Sequence, residues 1–161
     1  MTVVGATFEV SERDIASIVH RLQSAAQPDR ALLDSIGQLL VDSAIERISD
    51  TNASPAGAAW VPWSDDYAAW RQARGGDQTK LRLEGHLQGS MTWNVLGDGV
   101  EAGSPSEYAA AHQFGTTEAG RNRNVTIPAR PYLGVSKLDE DRILRRVEAS
   151  ILRRLSAGGE A

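Results

Sequence analysis

From Pro28 to Ile48 the chain reads PDRALLDSIGQLLVDSAIERI, with Leu32, Leu33, Ile36, Leu39, Leu40, Ala44 and Ile48 recurring at helical spacing. An apolar stripe of this length must be buried, so the pattern predicts the longest helix of the chain and the spine of its core. Pro28 suits the first turn, where an amide would have no partner in any case. A second stripe closes the sequence. Ser136 can cap a terminal helix, with Asp139 three residues on and acids at 139 to 141 facing the helix dipole. Ile143, Leu144, Val147, Ile151 and Leu155 form its apolar side, and Arg145, Arg146, Arg153 and Arg154 crowd toward its end. The last residues, SAGGEA, read as a frayed tail.

The segments around these two helices are shorter. TVVGATFEV alternates weakly, as a short strand would. SERDIASIVHRLQSA reads as a helix capped by Ser11 with Asp14, with Ile15, Ile18, Val19 and Leu22 on one face and His20 near its polar side. Residues 50–63, DTNASPAGAAWVPW, are small and turn-rich and predict an exposed loop. Ser64 then caps a short helix, SDDYAAWRQAR, which Gly75 and Gly76 end. Leu81, Leu83 and Leu87 suit another short helix that Gly89 weakens. MTWNV and VEAG alternate on either side of GDG, a hairpin signal, with Met91, Trp93 and Val95 inward and Thr92 and Asn94 outward. Ser106 can cap a helix over SEYAAAHQF that stops at Gly115. Residues 116–126 have no apolar periodicity and predict a mobile loop carrying Arg121 and Arg123, and the two prolines of IPARPYLG fix an extended path. These patterns predict a single α+β domain over 1–161, a small antiparallel β-sheet flanked by long helices, with an extended loop containing tryptophan.

Composition narrows the function classes. The 161 residues include no cysteine, which excludes disulfides, thiolate metal sites and thiol catalysis. No apolar run approaches a membrane span, and the start lacks the basic flank and apolar block of a signal peptide. Charge is uneven: nine Lys or Arg against four Asp or Glu lie between Arg121 and Arg154, and eight against seventeen elsewhere. This asymmetry suits a chain that meets copies of itself or a partner head to tail, and equally two solvated helix faces. Trp60, Trp63 and Trp70 cluster in one region, either as interface anchors or as cover for the core.

The residues do not predict chemistry. His20, His86 and His112 fall in three separate segments, and neither GxSxG nor GxxxxGK[ST] occurs. Neighbouring acids sit at helix starts, where capping accounts for them. Two arginines between 121 and 123 are too few for a nucleic-acid module. His112 and Gln113, in the stretch YAAAHQFGTT, lack a nucleophile and an orienting acid, so they predict a structural corner at a helix end, with Phe114 plugging the core beneath. No catalytic residue, cofactor or metal is expected.

The order of a tryptophan loop, LRLEGHLQGSM, a short hairpin, VEAGSPSEYAAAHQFG and IPARPYLGVS resembles the phage virion morphogenesis proteins, the Mu-like and tail-completion proteins of contractile-tailed phages and prophages. The resemblance runs from about Trp60 to Leu155, with YAAAHQFG and IPARPYLG as its sharpest signatures. It implies a non-enzymatic virion protein, at the head-proximal end of the tail or in the neck, assembled in the cytoplasm of the bacterial host as a ring of six. The implied partners are other copies of the chain, tail tube and sheath proteins and head connector or neck proteins, with neither membrane nor sequence-specific nucleic acid among them. It makes Tyr108, His112, Gln113, Phe114, Gly115, Arg130, Pro131 and Tyr132 the shared structural corner. Trp60, Trp63, Arg121, Arg123, Arg153 and Arg154 are the candidate interface residues. The loop between Gly115 and Ile127 is shorter than in some relatives. The rival expectation is a head-side neck protein that touches the DNA exit channel.

Overall fold

The computed structural model describes residues 16, 19–20, 22–23 and 26–157. The strand expected over TVVGATFEV, the cap at Ser11 and Asp14, the stripe positions Ile15 and Ile18, and the last four residues lie outside the described ones. Val19, His20 and Leu22 are helical and exposed.

Helix α1 runs Arg30–Glu46 and continues as a π-helical turn, Arg47–Thr51, that ends at Asn52 in the left-handed region. Its cap is Asp29, whose carboxylate accepts a 2.7 Å bond from the Leu32 amide, so Pro28 precedes the cap instead of occupying the first turn. Leu32, Leu33, Leu39, Ala44 and Ile48 are buried. The terminal helix α5, defined below, is longer, because α1 changes to π geometry after 17 residues. Helix α2, Asp65–Arg74, starts after Ser64, whose side chain makes no capping bond. The leucine-rich stretch that follows is mostly irregular and holds one helical turn, α3, His86–Gly89.

Strands β1, Thr92–Leu96, and β2, Gly99–Gly103, form an antiparallel hairpin in register from Thr92↔Gly103 to Leu96↔Gly99. Gly97, with φ of 60°, supplies the left-handed residue that a two-residue turn requires. Met91, Trp93 and Val95 are half-buried and Thr92 and Asn94 exposed, as the alternation requires. The hairpin packs on α1, where the Trp93 indole crosses the helix at Gly37. A Cβ at Gly37 would overlap that ring.

Helix α4, Ala109–Phe114, begins three residues after Ser106 and ends at Gly115. The stretch expected as a mobile loop is a second antiparallel hairpin, β3, Thr116–Ala119, with β4, Val125–Ile127. These strands are polar and largely exposed, so backbone pairing, not an apolar face, defines them. The fold is therefore α+β with two small antiparallel sheets flanked by helices. Among the described residues no helix is long and apolar enough to cross a membrane.

Residues 128–134 follow an extended path with no strand beside them, and side chains from three directions take up their polar groups. The Gln113 side chain accepts from the Tyr132 and Leu133 amides at 3.0 Å each and donates to the Leu133 carbonyl at 3.1 Å. In this way one amide side chain stands in for a neighbouring strand. The Trp60 indole N–H donates to the Pro131 carbonyl at 3.0 Å, and the Tyr132 hydroxyl donates to the Ala109 carbonyl at 3.1 Å. The Arg130 amide donates to the His112 carbonyl at 2.8 Å. Arg47 donates from α1 to the Tyr132 and Gly134 carbonyls. Gly115 has a structural role here, since a Cβ would press on the backbone of Ile127 and Ala129 and its φ is 76°.

Helix α5, Lys137–Ala157, starts with a reciprocal cap. The Ser136 hydroxyl accepts from the Asp139 amide, and the Asp139 carboxylate accepts from the Ser136 amide and hydroxyl. Asp139 also pairs with Arg47 and accepts from Ser43, all within the buried seam between α1 and α5.

Two inward assignments are corrected. Phe114 is 77% exposed, because α4 turns Ala109 and Gln113 toward the clasp and leaves residue 114 on the outer side. Leu144 is 63% exposed, while Ile143, Val147 and Ile151 are partly buried along α5.

Candidate functional site

The corner residues and α2 together wall a cleft of about 940 Å³. One wall is Val61, Trp63 and Tyr67, the floor is Leu81 and Leu87, and the far wall is Tyr108, His112 and Ile127. The aromatic wall is built by helical spacing. Trp63 meets Tyr67 edge-on at 5.6 Å between ring centres, and Tyr67 stacks on Trp70 at 5.5 Å. Arg71 lies over Trp63 at 5.1 Å and Arg74 over Trp70 at 5.4 Å, each a cation resting on a ring face. Tyr67 and Trp70 remain exposed. The sequence offered a signal for this ladder, since 63, 67, 70, 71 and 74 are spaced by three and four.

Arg71 itself is buried. It donates to the Asp77 and Arg82 carbonyls and so fastens the irregular segment 77–82 onto α2, yet its Nε has no partner. An exposed ion pair of Arg82 with Asp77 at 3.0 Å sits on the same segment. Arg130, also buried, donates to the Val61 and Pro62 carbonyls and holds the aromatic wall against the clasp. His112 faces the same interior, edge-on to Tyr108. Burial lowers its pKa below the usual histidine range, and the positive charge of Arg130 adds to the effect. Its Nδ1 is buried without a hydrogen-bond partner. The arrangement has apolar walls, fixed cations and no nucleophile paired with a base, which suits recognition of another surface. Among the described residues no group of His, Asp or Glu could hold a metal ion.

The expected interface residues divide. Trp63 lies in the aromatic wall. Trp60 is 4% exposed and belongs to the core, because its indole N–H finds the Pro131 carbonyl and its ring packs with Ile48 and Tyr132. It is therefore corrected from exposed anchor to core residue. Arg121 and Arg123 lie at the turn of the β3–β4 hairpin, exposed and without a side-chain partner among the described residues, and Arg123 has φ of 50°. Arg153 is exposed. Arg154 is engaged inside the chain, with Gln27, Asp29 and Ser150, and ties α5 to the start of α1. The structure does not bring the hairpin tip, the aromatic wall and the α5 arginines into one site. Sequence reasoning missed Tyr67, Arg71 and Arg74.

The chain thus carries two small hairpins, a side-chain clasp and an apolar cleft lined in part by arginines. The family model described as the phage virion morphogenesis family matches residues 10–151, and the chain belongs to that family. "Putative capsid assembly protein G" of Escherichia phage Mu is 35% identical over 158 residues, covering 87% of this chain and 97% of that protein. "Mu-like prophage FluMu G protein 2" of Haemophilus influenzae is 30% identical over 136 residues, covering 84% and 88%. No solved structure matches. The role is accordingly structural, among other phage proteins during virion assembly, and not enzymatic.

Proposed function

We propose that this protein completes the tail of a contractile-tailed phage or prophage, as a ring at the head-proximal end that permits the head to join. The observation that carries the reading is the presence of two unlike exposed features on one chain. One is the Trp63–Tyr67–Trp70 ladder with its cleft, and the other is the Arg121/Arg123 tip of the hairpin whose strand β4 borders that cleft. Unlike patches on one chain make heterologous contacts, which close into rings when the rotation allows. The arginine tip suits an acidic surface on the adjoining copy or sheath, and the aromatic ladder suits a packed contact rich in Trp, Tyr and Arg. Assembly takes place in the cytoplasm of the bacterial host, and the ring is a hexamer in this reading.

A second reading rests on the name of the phage Mu relative, which speaks of capsid assembly. It places the ring on the head side of the neck, around the DNA exit channel. The net charge of -4 disfavours a lumen that tracks DNA. Electron microscopy of lysates from the parent element lacking this gene separates the two. Filled heads apart from tails with ragged upper ends support tail completion. Normal tails beside heads that leak DNA support the head side, and normal joined particles overturn both.

A further inference from the structure

We infer that the cleft of one copy receives the outer face of helix α5 from the next copy, an inference that rests on the homomeric ring proposed above. Two groups stand out among the exposed large apolar side chains. Val61, Tyr67, Leu83 and Val125 line the cleft, which is concave. Leu138, Leu144 and Leu152 stand exposed on α5, which packs its other side on α1. Each group leaves apolar surface open to solvent, and they lie on different elements.

Charge selects the pairing. Arg71, Arg82 and Arg130 line the cleft with one carboxylate, Glu84, and Arg82 is also paired with Asp77, which does not line it. On α5, Glu148 lies midway between Leu144 and Leu152, at i, i+4 and i+8 on one face, about 12 Å long at 1.5 Å per residue. Glu148 is exposed and has no partner among the described residues, so a leucine–carboxylate–leucine ridge meets an apolar slot lined by arginines. Arg145 and Arg153 flank the ridge, and the exposed Asp65 and Asp66 directly follow Ser64, which lines the cleft. A reciprocal two-fold pair would use up both sites at once, whereas in the head-to-tail ring proposed above each docking leaves one free site of each kind. Propagation continues until the ring closes.

The absence of cysteine permits a direct test. Leu83→Cys and Leu144→Cys chains, both changed at exposed positions, are purified separately at full length, mixed and oxidised, while the oligomeric mass of the unmodified chain is measured in parallel. Expected is a mixed disulfide between the two variants, far exceeding either self-pair, together with an oligomer of the unmodified chain. Glu148→Arg in the cysteine-free chain should weaken association at least tenfold. It reports on the same contact should either cysteine variant fail to fold. An oligomer that forms without the mixed disulfide and is indifferent to Glu148→Arg overturns this docking mode while leaving the ring intact. A chain that stays monomeric at every concentration and gives no disulfide overturns both.

Discussion

Replacing Asp139 by Asn tests the seam that holds α5 to the rest of the fold. Asp139 is 1% exposed, and its carboxylate serves Arg47, Ser43 and the Ser136 cap at once. Asparagine keeps the shape and an acceptor for the cap, but it leaves the buried Arg47 guanidinium without a counter-charge. Removing one partner of a buried pair costs about 3–5 kcal/mol. Arg47 keeps the Tyr132 and Gly134 carbonyls at 3.0 and 3.1 Å, so a loss near the lower bound, about 3 kcal/mol, is expected. For a chain of this size that lowers Tm by roughly 6–12 °C. Calorimetry and urea unfolding of Asp139→Asn, Arg47→Met and the double variant decide the question. The double variant buries no orphan charge, so its loss should fall short of the sum of the singles by about 2 kcal/mol. Additive losses would refute the pairing. Acid provides an independent check. Burial pushes the Asp139 carboxyl up, but bonds from Ser43 and Ser136, with Arg47, outweigh it and hold the group below the usual carboxylate range. The unfolded chain then binds the proton more readily. The stabilisation is full above the ordinary carboxylate pKa of about 4 and is lost as pH falls through the lower folded value. Asp139→Asn should therefore show a shallower acid limb.

Two further outcomes follow from the packing. Gly37→Ala gains about 1 kcal/mol of helix propensity but forces the Trp93 ring aside at about 1–3 kcal/mol, so urea unfolding should show a net loss, and a stabilised variant would sink the account. His112, held below its ordinary pKa of about 6.5 by burial and then by Arg130, contributes stability that is full above that pH and declines as pH falls, so His112→Gln should flatten the urea midpoint between pH 7 and 5. An unchanged slope there would count against burial of the neutral ring.

The parts of the fold legible in the sequence were those that local pattern determines. The β1–β2 hairpin followed from strict alternation around Gly97, and the start of α5 from Ser136 with Asp139 at capping distance. Gln113 was legible as a corner residue, although its three bonds to a segment about twenty residues on were not. Trp60 misled because a small, turn-rich neighbourhood signals exposure, whereas its partner lies 71 residues away. Phe114 misled because apolar character says nothing about which way a six-residue helix turns. The β3–β4 hairpin was hidden because TTEA and VTI carry no buried face. The aromatic ladder could be read as spacing, but the cleft could not. Its far wall comes from residues 108–128, beyond the reach of any local pattern.

The clasp around residues 130–134 has a kinetic consequence. Its stitches join positions separated by 18 to 20, 23, 68 to 71 and 85 to 87 residues, so no short segment can form it alone. Long loops must close before any of those bonds compensates the lost chain entropy, which places the clasp late in folding. It closes only once α1, the tryptophan segment and α4 are in place. A nascent chain therefore has no finished corner, and hence no complete cleft wall, until Tyr132 has been synthesised and seated. The cleft wall and the folded state therefore arrive together.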